Sequence, residues 1–149
     1  LLSDAARTAL VSQLLPVATL VTPNAPEAEA LAGFPVRSVA DARRAAKAIA
    51  ALGPKAVLVK GGHLHGGDAT DVLFHQGAWL EFTGPRVDTR HTHGTGCTLS
   101  AAITARLASG ASLSDSVQKA KTWLTEALRT APGLGHGIGP VNHFAPTAE

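Results

Sequence analysis

The feature of this sequence that most constrains its fold is the alternation of short apolar runs with longer helical patterns. Residues 17–21 and 56–59 are apolar runs with the length of buried strands, and each is followed by a polar segment. Helical patterns precede the first run and separate it from the second. Strands that alternate with helices in this way pair mainly in parallel, so the sequence predicts an α/β fold with a largely parallel sheet and an additional antiparallel hairpin.

Apolar periodicity, N-cap residues and helix breakers predict five helices. Their ranges are residues 2–15, 25–32, 38 to the Gly53-Pro54 pair, 98–107, and a long helix that begins after Ser112. The side chains predicted to face the core are Leu10, Leu14 and Leu15 in the first helix, Ala42, Ala45, Ala46 and Ile49 in the third, and Leu113, Val117, Ala120, Leu124 and Leu128 in the last. Residues 72–74 and 79–82 flank Gln76-Gly77 and predict a hairpin, whereas the segment from Pro132 onward is predicted to be loop.

Composition excludes several classes of function. The 13 Lys and Arg residues nearly balance 11 Asp and Glu residues, which leaves no basic stripe for nucleic acid. No apolar run approaches the roughly 20 residues of a membrane span. The single cysteine excludes an internal disulfide framework and fits the reducing cytoplasm. The absence of methionine, even at position 1, leads us to expect that residues 1–149 are a single-domain portion of a longer chain.

The Gly94-Thr95-Gly96-Cys97 segment precedes an Ala-rich helical pattern. The first turn of a helix has unpaired N–H groups and a partial positive charge, and glycine lets a phosphate approach the backbone closely. Cys97 would lie in that turn, where a thiolate is favoured. The segment therefore indicates an anion site, although a short Gly-containing turn before a helix is common without any function.

Two further segments allow both a structural and a functional interpretation. Asn24 and Glu27 can form a capping box, or they can stand at the carboxyl end of a strand and hold Mg²⁺ through water. Lys60 follows the second buried run, where its ammonium can bind phosphate or simply reach solvent.

The histidines form two His-x-His pairs, His63/His65 and His91/His93. No carboxylate or cysteine spacing completes a recognisable zinc site around either pair. His93 and Cys97 are four residues apart, so a Cys/His nucleophile pair is a further possibility.

Taken together, four segments resemble one enzyme family in both order and spacing. They are Thr22-Pro23-Asn24-Ala25-Pro26-Glu27-Ala28-Glu29, Val59-Lys60-Gly61-Gly62-His63, the block from His91 to Ala101 that contains Thr92-His93-Gly94-Thr95-Gly96-Cys97-Thr98, and Gly135-His136-Gly137-Ile138-Gly139-Pro140-Val141. The chain resembles the carboxyl-terminal part of the hydroxymethylpyrimidine/phosphomethylpyrimidine kinases of thiamine biosynthesis, which belong to the ribokinase superfamily. The resemblance implies a ribokinase-like, Rossmann-like three-layer sandwich of which this chain is the carboxyl-terminal portion.

The resemblance also implies an activity and its cofactors. The family transfers the γ-phosphoryl group of ATP, with Mg²⁺, to 4-amino-5-hydroxymethyl-2-methylpyrimidine and then to the monophosphate. By the resemblance, Gly94, Thr95 and Gly96 form the anion hole, and Cys97 stands where most ribokinase relatives have an aspartate base. Asn24 and Glu27 match the element that organises Mg²⁺ and phosphates, Lys60 matches a lysine near the ATP phosphates, and His91 stands on the adenine side. A cytoplasmic homodimer that binds only small molecules is expected.

Three other functions compete with this interpretation. A pyridoxal-type kinase has the same fold and a similar cysteine-containing loop. A non-catalytic fragment would bind nucleotide without turnover. A thiol hydrolase or transferase would use Cys97 and His93, but it would have no need of the Gly-Thr-Gly segment or of the Asn24/Glu27 element.

Overall fold

The computed structural model describes residues 3–64 and 67–146, apart from the side chain of His63. The predicted start of the first helix at Leu2, and the second member of the His63/His65 pair, lie outside these residues. The chain divides into two compact units, Leu1–Thr83 and Gly84–Glu149.

The first unit opens with a continuous helical stretch. It comprises helix α1 (Asp4–Ala9), a π-helical turn (Leu10–Leu14) and a 3₁₀ turn (Leu15–Val17). In the π turn the N–H of Leu15 donates to the carbonyl of Leu10, five residues back. This wider turn changes which side chains face the core. Leu15 is 2% exposed, whereas Leu14 is 55% exposed. The prediction that Leu14 faces the core together with Leu15 was therefore wrong.

Two helices and a sheet complete the first unit. Helix α2 spans Ala25–Ala32 and helix α3 spans Val39–Ala50. Strands β1 (Ala56–Val59), β2 (Ala69–His75) and β3 (Ala78–Gly84) form a sheet in the order β1-β2-β3, and a 3₁₀ turn (Gly61–His63) follows β1. Gln76 and Gly77 both have positive φ, 51° and 80°, as the predicted two-residue hairpin requires.

The prediction of a largely parallel sheet was wrong for β1, whereas β2 and β3 form the hairpin that the sequence predicts. Strands β1 and β2 are antiparallel, with Ala56 opposite His75 and Val59 opposite Val72. Only nine residues, 60–68, separate β1 from β2, and parallel neighbours need a crossover of about a dozen or more residues, usually helical. The short connection therefore favours antiparallel pairing.

Parallel pairing does occur at the first predicted strand, but only as isolated bridges. Val21 bridges Val57 and Asn24 bridges Lys60, both in parallel. Residues 17–21 do not form a continuous strand, and Val17 is 72% exposed at the end of the 3₁₀ turn. Pro16 and Pro23 flank the segment, and neither has the N–H group that a strand ladder uses.

The core of the first unit lies between helices α2 and α3 and one face of the sheet. Ala42, Ala45, Ala46 and Ile49 of α3 are all 0% exposed, as predicted from their spacing. They pack with Val57, Val59 and Val72 of the sheet. The small alanine side chains let α3 lie close to the strands, which holds the carboxyl end of β1 in place.

The second unit contains helices α4 (Thr95–Ala108) and α5 (Leu113–Arg129). Helix α4 begins three residues before the predicted Thr98, so Cys97 lies within its first turn. Along α5, Val117, Ala120 and Leu124 are buried as predicted.

Residues 133–146 are loop, as predicted, and residues near their end pack on α5. Val141 and Ala145 join Ala127 in a small core, and the indole N–H of Trp123 donates to the Ala145 carbonyl over 2.9 Å.

Candidate functional site

In the first unit Asn24 and Lys60 lie side by side, each at the carboxyl end of an extended segment. The two residues form a parallel bridge, and the Lys60 N–H donates to the Pro23 carbonyl over 2.8 Å. This is the edge at which α/β sheets bind their ligands. Each residue thus lies at the carboxyl end where the sequence places it, and the structure adds that the two are adjacent.

Asn24 and Glu27 form the capping box that starts α2. The Glu27 N–H donates to Asn24 Oδ1 over 2.9 Å, and the Asn24 N–H donates to Glu27 Oε2 over 2.7 Å. The structural interpretation of these residues is thus confirmed. The capping box does not exclude a role for Glu27 in ion binding, because it uses one of the two carboxylate oxygens and the side chain is exposed.

An apolar groove of about 870 Å³ adjoins the capping box. Its lining includes Leu10, Leu15, Leu20, Val21 and Leu31, with Asn24 and Glu27 among its polar members.

The second unit presents the Gly94–Cys97 segment as the open end of α4. Gly94 is the N-cap residue and has φ of 79°, a conformation that glycine adopts without strain. Its carbonyl accepts the first helical hydrogen bond, from Thr98 over 2.8 Å, whereas the Thr95 hydroxyl and N–H both donate to Thr92. In the described part of the chain, the N–H groups of Gly96 and Cys97 have no acceptor. Within the first turn the open donors are therefore those of Gly96 and Cys97 rather than that of Thr95, and the N–H of the N-cap Gly94 also has no acceptor among the described residues.

Cys97 is exposed in this first turn. His93, its suggested partner, is held by the tail: the His93 N–H donates to the Gly139 carbonyl over 3.1 Å, and His93 bridges Pro140. Across residues 3–64 and 67–146, no hydrogen bond joins His93 to Cys97. The geometry thus provides an exposed thiol beside open amides but no Cys/His pair.

His91 is half-buried against the same tail. Its Nδ1 is buried and has no hydrogen-bond partner among the described residues. Gly139 lies against the ring so closely that an added Cβ would collide with Nδ1. The predicted role of His91 beside adenine stays a prediction, since what the structure adds is a close packing contact.

Sequence reasoning gave no role to two residues that shape these segments, Gly139 and Asp71. Asp71 is 4% exposed, and its Oδ1 accepts a 2.7 Å hydrogen bond from the Gly61 N–H, next to Lys60. A carboxylate inside an apolar strand pattern was the available signal, because buried carboxylates almost always have a partner.

Metal ligands do not converge anywhere in the described ranges: no three His, Cys, Asp or Glu side chains lie together there. A magnesium site of the predicted kind needs fewer protein ligands than three. Mg²⁺ keeps several waters and takes one or two carboxylates plus substrate phosphates, so the oxygens of Glu27 and Asn24 fit a water-mediated ion.

Comparison with known proteins assigns the chain to a family. The phosphomethylpyrimidine kinase family matches residues 1–142. The chain belongs to this family. The hydroxymethylpyrimidine/phosphomethylpyrimidine kinase of Escherichia coli is 48% identical over 147 residues, which cover 97% of this chain and 55% of that protein.

Two solved structures of related kinases have the same fold as this chain. A Bacillus subtilis pyridoxal kinase, determined as an ADP complex, matches 97% of this chain and 57% of its own with 39% identity and a TM-score of 0.92. A phosphomethylpyrimidine kinase from Clostridium difficile matches 85% of this chain and 50% of its own with 39% identity and a TM-score of 0.70. The fold is therefore α/β and ribokinase-like, as the resemblance implied.

The chain spans about half the length of the curated kinases that it matches. Among the helices that the structure describes, none has the length and apolar character needed to cross a membrane.

Proposed function

We propose that this chain takes part in the ATP-dependent phosphorylation of 4-amino-5-hydroxymethyl-2-methylpyrimidine and of its monophosphate. The observation that carries the proposal is the first turn of α4, where two unpaired backbone N–H groups adjoin the exposed Cys97. Family membership over residues 1–142 supports phosphoryl transfer as the chemistry of that turn.

In the first transfer, the pyrimidine hydroxyl oxygen attacks the γ-phosphorus of ATP while the bond from that phosphorus to the β-bridging oxygen breaks. ADP leaves, and the hydroxyl proton passes to Sγ of Cys97, which acts as the general base. The N–H groups of Gly96 and Cys97 donate to the oxygens of the transferring group, where the helix end adds about half a positive charge. Phosphoryl transfer depends mainly on positioning and charge stabilisation of this kind.

Lys60, Asn24 and Glu27 have supporting roles in the proposal. The Lys60 ammonium binds ATP phosphate oxygens, and the Asn24 and Glu27 oxygens hold the waters of a magnesium ion. When bound, Mg²⁺ neutralises phosphate charge. The capping box orients Glu27, because its Oε2 is held by the Asn24 N–H at 2.7 Å.

The two phosphorylations provide the test. The second acceptor is a phosphate oxygen that is already ionised, so it needs no base. We expect Cys97→Ala to slow phosphorylation of the alcohol by about 10²–10⁴-fold, the usual contribution of a general base, and to slow phosphorylation of the monophosphate much less.

Two further variants make this test specific. Cys97→Asp supplies another base and is expected to restore the first step in part, and Thr104→Ala, further along α4, is expected to leave both steps unchanged. Equal losses in both steps for Cys97→Ala would contradict the base role.

A pyridoxal-type kinase is the second candidate, favoured by the TM-score of 0.92 to the Bacillus subtilis enzyme. The family match and the 48% identity to the Escherichia coli kinase favour the pyrimidine. Competition between pyridoxal and the pyrimidine alcohol for phosphorylation separates the two candidates, since the preferred acceptor has the higher kcat/KM.

The remaining alternative is nucleotide binding without turnover. Calorimetry with ATP and Mg²⁺, combined with a phosphoryl-transfer assay on this chain, distinguishes it: a binding isotherm with no ADP formation supports it and contradicts catalysis by this chain alone. We also propose a cytoplasmic location and a homodimer, the latter testable by sedimentation.

A further inference from the structure

We propose that Asp71 is a positioning residue that directs Lys60 toward the phosphates of ATP. The inference rests on the proposed function, and it adds to that function a residue of a neighbouring strand. It starts from the buried carboxylate in β2, whose Oδ1 accepts the 2.7 Å hydrogen bond from the Gly61 N–H.

The backbone around this hydrogen bond has little freedom. A Cβ at Gly61 would collide with the carbonyl of Thr70, so β2 and the turn after Lys60 are in direct backbone contact. Lys60 itself is held on the other side by its N–H bond of 2.8 Å to Pro23. The peptide groups on both sides of the Lys60 Cα are thus held by hydrogen bonds.

The position of Asp71 follows from the sheet register. Val59 is opposite Val72, so the next residues outward are Lys60 on one strand and Asp71 on the other. Asp71 is 4% exposed, and a buried carboxylate is costly unless hydrogen bonds compensate for lost hydration. A bond to a backbone amide satisfies the carboxylate and at the same time determines how the chain leaves β1.

Fixing this turn determines where the lysine side chain leaves the backbone. Lys has a flexible four-carbon stem and loses rotamer freedom when it binds phosphate. A backbone held by Asp71 confines the point from which that stem departs. Losing the acceptor therefore weakens the phosphate contact although Asp71 itself does not touch the ligand.

The test compares the affinities of the folded chain for ATP and AMP, measured by calorimetry with Mg²⁺. AMP lacks the β- and γ-phosphates, so the ratio of the ATP affinity to the AMP affinity isolates the phosphate contact. We expect Asp71→Ala to lower this ratio about tenfold, the effect of losing one hydrogen bond to a charged group, and Asp71→Asn, which keeps the Oδ1 acceptor, to restore most of it.

A double-mutant cycle separates positioning from general loosening of the strand. Lys60→Gln is expected to lower the ratio as Asp71→Ala does, and the double variant is expected to show no further loss, because both changes remove the same contact. The control is Val72→Ala, which loosens the same buried strand and is expected to leave the ratio unchanged.

Several outcomes would overturn the inference. They are an unchanged ratio in Asp71→Ala, additive losses in the double variant, and an equal loss in Val72→Ala. A wild-type chain that binds ATP no better than AMP contradicts the proposed function itself, and this result is visible before any variant is made.

Discussion

At the scale of single residues, the least predictable features are contacts between groups far apart in the sequence. The Asn24–Glu27 capping box could be predicted because its members are three residues apart. The bond from Gly61 to Asp71 and the packing of His91 on Gly139 could not, because each depends on how separate elements meet. The chemical types were visible in the sequence, but their partners were not.

Gly139 gives a residue-level prediction. An added Cβ would collide with the His91 ring and would lie 2.9 Å from the Leu134 carbonyl oxygen, so the tail must shift. We expect Gly139→Ala to lower the free energy of unfolding by about 1–3 kcal/mol, the usual cost of overpacking, as measured by urea denaturation.

Gly137 provides the matched control in the same tail. A Cβ there meets nothing within 4 Å among the described residues, so Gly137→Ala is expected to be close to neutral. If both variants lose the same stability, the cause is backbone flexibility of the tail rather than the contact with His91.

At the scale of elements, predictions were accurate where local caps define a helix. The bounds of α2 agree with the predicted range 25–32, since Asn24 caps it and Gly33 ends it with φ of 81°. The start of α4 was predicted too late, because glycine at 94 and 96 is typical of loop. In the structure Gly94 is the N-cap and Gly96 is already helical.

Ser38, the N-cap of α3, gives an element-level prediction. Its hydroxyl oxygen accepts from the Asp41 N–H over 3.1 Å and its O–H donates to the Asp41 carboxylate over 2.8 Å. We expect Ser38→Ala to destabilise the chain by about 1 kcal/mol in urea denaturation at neutral pH, and Ser38→Thr, which keeps the hydroxyl, to cost much less.

The same cap predicts a pH dependence. The hydrogen bond from Ser38, followed by that from the Arg37 N–H, lowers the pKa of Asp41 below its ordinary value of 3.8. A lowered pKa stabilises the folded chain above that value, and this stabilisation is lost as the pH falls through the folded-state pKa. The difference between wild type and Ser38→Ala should therefore shrink in acid, and NMR titration should show the pKa of Asp41 rising in the variant.

An unchanged pKa of Asp41 in Ser38→Ala would contradict this cause of the shift. Ser38→Thr is the control here too, since its hydroxyl should keep the pKa low.

At the scale of the whole molecule, the sequence indicated the fold class more reliably than the pairing of strands. The buried faces of α3 and β1 follow from apolar spacing, and the matching solved structures confirm the ribokinase-like fold. The direction of β2 was missed, although the short connection between β1 and β2 was visible in the sequence. Long-range pairing depends on such connections more than on the strand residues themselves.

The apolar groove of the first unit leads to the last prediction. It has a volume of about 870 Å³ and a leucine-rich lining that includes Leu20 and Val21. Apolar grooves of this kind bind apolar dyes. We expect the chain to enhance the fluorescence of such a dye, and Leu20→Lys, which places a charge in the groove, to reduce that enhancement about twofold or more. Leu134→Lys is the matched control, because Leu134 is 62% exposed and does not line the groove. An equal reduction in both variants would show that the dye responds to net charge rather than to the groove, and a melting temperature measured for each variant excludes unfolding as the cause.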